Sequence, residues 1–186
     1  MNENGENEPI EASTFDSSFE LLKRTFASYF GSEPTFYVQA PGRVNLIGEH
    51  IDYSDFSVLP CATKQTIKIA VRCEKAVGRD ETLKASAFNL DPKFKPAEFP
   101  IDPSFSLEPK ENGQKWVNYV HSGFKGAFEY IQRNKMTARN GERFDGLFPV
   151  VKMCVESDLP AAAGLSSSSA LVVAASLAAA RSIDVS

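Results

Sequence analysis

Cysteine and histidine are scarce in this sequence, and their scarcity argues against several classes of function. The three cysteines, Cys61, Cys73 and Cys154, stand far apart, no CxxC pair occurs, and there are only two histidines. That supply argues against a zinc cage or a disulfide framework, and favours a reducing, cytoplasmic setting. Basic charge is never concentrated: the 20 Lys and Arg are scattered, and 24 Asp and Glu set against them give a net charge of -4. With no basic block, nucleic acid is not expected as the main partner. Long apolar runs are lacking too. The longest, residues 170–180, is interrupted by Ser176 and is too short to span a bilayer. Neither GxxxxGK[ST] nor GxGxxG occurs, so the common nucleotide fingerprints are missing.

What is present suits one domain with a substantial core, since 42% of the 186 residues are hydrophobic. Residues 1–14 form an acidic tail with no basic residue and no apolar segment, expected to be disordered and not a signal peptide. The folded domain is expected over 15–186. Apolar residues at helical spacing from Phe15 to Phe30, closed by Gly31, predict a first helix. "TFYVQA" predicts a strand ending at Pro41-Gly42, and "TIKIAVRC" one with Ile67, Ile69 and Val71 on a single face. "TLKAS" predicts a third strand, and residues 91–114 a surface excursion. A second helical stripe runs from Lys115 to Arg133. "GLFPVVKMCVES" predicts a strand buried on both faces, and Gly164 to Ala180 a last helix. The order of elements is that of an α+β domain.

The densest signal is "DLPAAAGLSSSSALVVAASLAAA", residues 158–180, where four serines directly precede an apolar run. A helix N-terminus leaves backbone N–H groups unpaired and carries about half a positive charge, so it suits a phosphate. Gly164 allows close approach, and Ser166, Ser167, Ser168 and Ser169 add hydroxyls. One serine would suffice for capping; four behind Gly164 favour the phosphate reading. A second dense stretch, "APGRVNLIGEHIDYSDFSVLP" at 40–60, packs Arg43, Glu49, His50, Asp52 and Tyr53 between apolar strands. The acidic groups and His50 can hydrogen-bond a polyol, and Arg43 can stabilise a transferring phosphoryl group. An ordinary ion pair of Arg43 with Glu49 or Asp52 stays open. A metal cluster there is disfavoured, since His121 is the only other histidine.

Together, "APGRVNLIGEHIDY…SVLP" and "LPAAAGLSSSSA" resemble the GHMP small-molecule kinases, and among them the galactokinase branch. "HIDYSDFSVLP", "NLDPKF" and "KWVNYVHSGFKG" are most similar to its fungal type. The resemblance implies the N-terminal domain of the GHMP fold, a mixed sheet packed by helices, and transfer of the ATP γ-phosphate to the anomeric hydroxyl of galactose. It implies ATP with Mg2+, Arg43 as a catalytic residue, and sugar contacts from Glu49, His50, Asp52 and Tyr53. It places the phosphate loop at Gly164, Leu165, Ser166, Ser167 and Ser168, with Ser168 as magnesium ligand. Trp116 and Tyr119 match a segment near the nucleotide, while core packing of a helix explains them equally well.

Three departures accompany the likeness. Ala161, Ala162 and Ala163 replace the more usual small polar lead-in, and Ser169 stands where alanine is common. The family's catalytic aspartate and second domain belong further along than Ser186. The sequence therefore reads as an N-terminal portion, expected to be inactive alone and to expose apolar surface. Other readings are an N-acetylgalactosamine kinase, whose loop often reads GLSSSSAL, and a non-catalytic galactose and ATP sensor that engages a transcriptional repressor.

Overall fold

In the computed structural model the described residues are 17–48, 50–74, 84–101, 115–134, 150–160 and 164–184. The acidic tail at 1–14 lies outside them. Alternation in "TIKIAVRC" does what the period of two demands: Ile67, Ile69 and Val71 are all buried in the main core. They belong to strand β2 (Leu59–Glu74), which pairs antiparallel with β1 (Phe36–Ile47) on one side and β5 (Val150–Ser157) on the other. β5 in turn lies parallel to β3 (Lys84–Asn89), and β4 (Ala97–Pro100) closes the sheet in the order β1-β2-β5-β3-β4. The result is a mixed five-stranded sheet in an α+β domain.

Helices α2 (Lys115–Arg133) and α3 (Ser167–Asp184) cover one face of the sheet, and α1 (Ser17–Phe30) the other. In α2, Val117, Val120, Phe124 and Phe128 repeat every three or four residues and are all buried. In α1 the buried face is Leu22 and Phe26, sealed against Ala70, Phe88 and Cys154. Of the same apolar stripe, Leu21 is exposed, and Tyr29 is exposed on one side while its ring stacks on Phe88 at 4.2 Å. Gly31 closes α1 at φ 70°, its N–H bonded to the Ala27 carbonyl at 2.9 Å, the usual left-handed helix end. β5 is buried on both faces as its apolar run requires: Val151, Met153 and Val155 face the main core, Cys154 the smaller one.

Several boundaries differ from the sequence expectations: β2 begins at Leu59 and not at Thr66, β3 runs on to Asn89, and three further differences bear on the site or its surroundings. β1 does not stop at Pro41-Gly42 but continues to Ile47, with a register shift between Pro41 and Arg43. β1 is an edge strand, where the missing proline N–H removes no ladder bond. β4 lies inside the expected surface excursion, held by buried Ala97 and Phe99. α3 begins three residues later than Gly164, because Gly164 (φ 72°) and Ser166 (φ 54°) are left-handed and cannot start a right-handed helix. No helix among the described residues is long and apolar enough to cross a membrane.

Candidate functional site

The serine segment is aimed by the strands beside it. After β5 the chain is clasped to β2: the Asp158 N–H donates to the Thr66 carbonyl at 3.3 Å, and the Asp158 carboxylate accepts the Thr66 N–H at 2.5 Å. Leu159 then enters the core. At the far end the Arg43 N–H donates to the Leu165 carbonyl at 3.1 Å, tying the loop to β1. The first bond of α3 runs from the Ala170 N–H to the Ser166 carbonyl, 2.9 Å. The amides of Ser167, Ser168 and Ser169 are therefore left without intrahelical acceptors.

None of the four serine hydroxyls caps those amides among the described residues, and Ser166 is left-handed instead of taking the extended backbone of a side-chain cap. The amides and the positive end of the helix stay available to an anion. Gly42 makes the approach of loop and strand possible. A Cβ there would collide with Leu159 Cδ2, and would sit 2.7 Å from Thr63 Oγ1 and 2.8 Å from the Leu165 carbonyl oxygen.

Between loop and strands opens a cleft of 380 Å³, bordered by Gly42 and Arg43 of β1, Cys61 of β2, and Ser166, Ser169 and Val173 at the start of α3. Two sequence stretches more than a hundred residues apart thus meet: one contributes Arg43, the other the start of α3. No carboxylate borders the cleft among the described residues. Nor do three His, Cys, Asp or Glu side chains among them converge as a metal cage. The Ser168 hydroxyl is exposed at the helix start.

His50, Asp52 and Tyr53 lie on the turn joining β1 to β2, all exposed, and do not border the cleft. Asp52–Ser54 form a single 3₁₀ turn, with His50 and Asp55 left-handed on either side at φ 60° and 63°. The rings of His50 and Tyr53 are 6.3 Å apart. Glu49 lies outside the described residues. Trp116 is buried in the main core; its indole N–H donates to the Lys95 carbonyl at 2.9 Å and its ring meets Phe94 edge-on. Tyr119 is 45% exposed.

Two cleft residues, Gly42 and Cys61, carried no sequence signal beyond a Pro-Gly pair and an unpaired cysteine. Cys61 is the exposed thiol of the three. Burial pushes the Cys73 thiol up to about 12. Burial, with the Glu156 charge adding to it, raises that of Cys154 as well. Beside the clasp, burial raises the Glu156 carboxyl, Lys68 opposes this, and Asp158 adds to it.

Comparison with known proteins follows the same two stretches. Residues 24–73 match the model of the galactokinase galactose-binding signature, and residues 122–186 that of the GHMP kinases N terminal domain. The chain is 34% identical to a galactokinase of Dictyostelium discoideum over 161 residues, 86% of its own length and 29% of the relative's. It is 35% identical to a galactokinase of Saccharomyces cerevisiae over 85% of its own length and 28% of the relative's. It thus spans less than a third of these curated relatives. Among solved structures, galactose-complexed Lactococcus lactis galactokinase aligns with a TM-score of 0.56 and 27% identity, covering 84% of this chain and 35% of that one. A mevalonate kinase aligns at 0.55 with 15% identity, over 79% and 40%, and shares the fold. The chain carries both the galactokinase galactose-binding signature and the GHMP kinases N terminal domain, and it corresponds to the N-terminal part of the galactokinases it is similar to.

Proposed function

We propose that this chain forms the phosphate-binding half of a galactokinase, which transfers the γ-phosphate of ATP to the anomeric hydroxyl of galactose. The observation that carries the reading is the shared cleft, which Arg43 borders together with Ser166 and Ser169 at the start of α3. Phosphate oxygens of ATP are held by the amides of residues 167–169 and by the helix dipole. The sugar oxygen attacks the γ-phosphorus, the bond to the bridging oxygen breaks, and ADP leaves. Arg43 stabilises the negative charge that develops on the transferring group.

The proton of the sugar hydroxyl needs an acceptor, and no carboxylate among the described residues borders the cleft. We assign the electrostatic part of the reaction to Arg43 and the helix end, and the base to a residue outside this cleft. Glu49, His50, Asp52 and Tyr53 are assigned to the sugar hydroxyls, the galactose-binding signature spanning all four. Magnesium, when bound, would supply charge neutralisation of the triphosphate, and Ser168, exposed at the helix start, would offer it a hydroxyl.

Calorimetric titration of the 186-residue chain with ATP, and an ADP-release assay with galactose, test this. Nucleotide binding is expected, weakened roughly tenfold or more by Ser167→Glu, which sets a carboxylate against the phosphates. Galactose-dependent ADP release is expected to be absent. Failure to bind ATP, or binding indifferent to Ser167→Glu, would refute the phosphate assignment. Turnover would locate the base within this chain.

A further inference from the structure

The exit from β5 is built in an uncommon way. The β2–β5 ladder ends at the Ile67–Ser157 pair. One residue further on, Thr66 and Asp158 still face each other, and the Asp158 N–H still donates to the Thr66 carbonyl. In a continuing antiparallel ladder the return bond would run from the Thr66 N–H to the Asp158 carbonyl. Here the Asp158 carboxylate takes that bond instead, at 2.5 Å. The main-chain carbonyl is thereby released, and the backbone is free to leave the sheet toward the serine loop with no ladder N–H abandoned.

Thr66 is itself braced from the other side, its hydroxyl accepting the Gln39 Nε2–H of β1 at 3.0 Å. The crossing segment is therefore held near its start by Asp158 on β2, and near its end by the Arg43–Leu165 bond on β1. Between the two ties lie Leu159, buried below Gly42, and the left-handed Gly164.

We propose that Asp158 is a positioning residue for the phosphate cradle: by standing in for its own carbonyl on the Thr66 N–H, it sets where the chain leaves the sheet and hence where the amides of α3 lie relative to Arg43. The inference rests on the phosphate reading given above. Asp158 does not border the cleft and is exposed, so its removal leaves no cavity in the core. What it contributes is direction.

Asp158→Ala and Asp158→Asn in the 186-residue chain separate this from a general structural role. The amide side chain keeps an oxygen that accepts the Thr66 N–H; alanine keeps none. In Asp158→Ala, amide hydrogen exchange at Thr66 and across residues 164–170 is expected to speed up roughly tenfold or more, the worth of one charge-assisted bond. Exchange in the centre of β2 and β5 is expected to stay unchanged. ATP affinity should fall by a similar factor and galactose affinity should not. Asp158→Asn should recover both readouts to within about threefold. Unchanged exchange at 164–170 in the alanine variant would overturn the proposal, as would an asparagine variant as impaired as alanine. If the unaltered chain binds no ATP, the kinase reading fails, and the exchange comparison alone still decides the positioning role.

Discussion

Helix α2 carries two glycines three residues apart, and replacing each by alanine is expected to act in opposite directions. In mid-helix, glycine is about 1 kcal/mol worse than alanine. At Gly126 a Cβ would meet nothing within 4 Å, so Gly126→Ala should realise that gain. The expected shift is about 1 kcal/mol of added stability, roughly 2–4 °C in Tm for a chain of this size. At Gly123 the same propensity gain is available, but a Cβ would lie 2.5 Å from the Val172 carbonyl oxygen, 2.7 Å from Ala175 Cβ and 3.0 Å from the Ser176 nitrogen. All three are backbone atoms or a first side-chain carbon of α3. None can swing aside, so the helices must part. The crossing also holds a bond from the Ser176 hydroxyl to the Gly123 carbonyl at 3.1 Å. Overpacking of this kind costs about 1–3 kcal/mol, and the unyielding contacts put it at the upper end. Losing that contact adds little, since the Ser176 hydroxyl keeps the Val172 carbonyl as acceptor at 2.9 Å. After the propensity gain, Gly123→Ala should be destabilised by about 2 kcal/mol. Urea unfolding followed by far-UV circular dichroism, on both variants and the parent, measures the difference. A Gly123→Ala variant as stable as the parent, or less damaged than Gly126→Ala, would refute the close crossing.

The raised carboxyl of Glu156 makes a pH prediction. A carboxylate whose folded-state value exceeds its unfolded value penalises the folded state above that value, and the penalty fades as pH falls through it. Glu156→Gln is therefore expected to melt higher than the parent at pH 7, with the gap closing toward about pH 4, the ordinary glutamate range; a gap of opposite sign or independent of pH would contradict it. For the cysteines, burial and exposure predict an order of reaction. Iodoacetamide should label Cys61 in the native chain first, half-buried Cys73 more slowly, and Cys154 only in denaturant, as peptide mass spectrometry would show; native labelling at Cys73 or Cys154 before Cys61 would overturn it.

Periodicity carried the elements whose environment is uniform along their length. α2 runs over Lys115–Arg133 as its stripe predicts, and the alternation of Ile67, Ile69 and Val71 identifies the buried part of β2, though not its start at Leu59. The helical character of residues 167–180 was readable too, because an alanine-rich run has high helix propensity and apolar surface on every side. Errors fell where a local signal competes with position in the sheet. Pro41-Gly42 reads as a strand end by turn chemistry, yet an edge strand tolerates the proline and a close-packed loop requires the glycine. β4 is four residues long, too short for its alternation to stand out from a segment rich in proline and charge.

By itself, then, the sequence determined which residue types could do phosphate and sugar chemistry, and that two stretches carried them: both are local matters of composition, spacing and wording. The tertiary structure alone decided which of those residues face one another. Arg43 and Ser166 share a cleft while His50, Asp52 and Tyr53 do not border it, and Trp116 is enclosed in the core. It alone also decided the clasp of Thr66 and Asp158, 92 positions apart. A hydrogen bond across such a separation follows from strand order and register. Those are set by the burial of the whole core, to which no short segment's propensity has access.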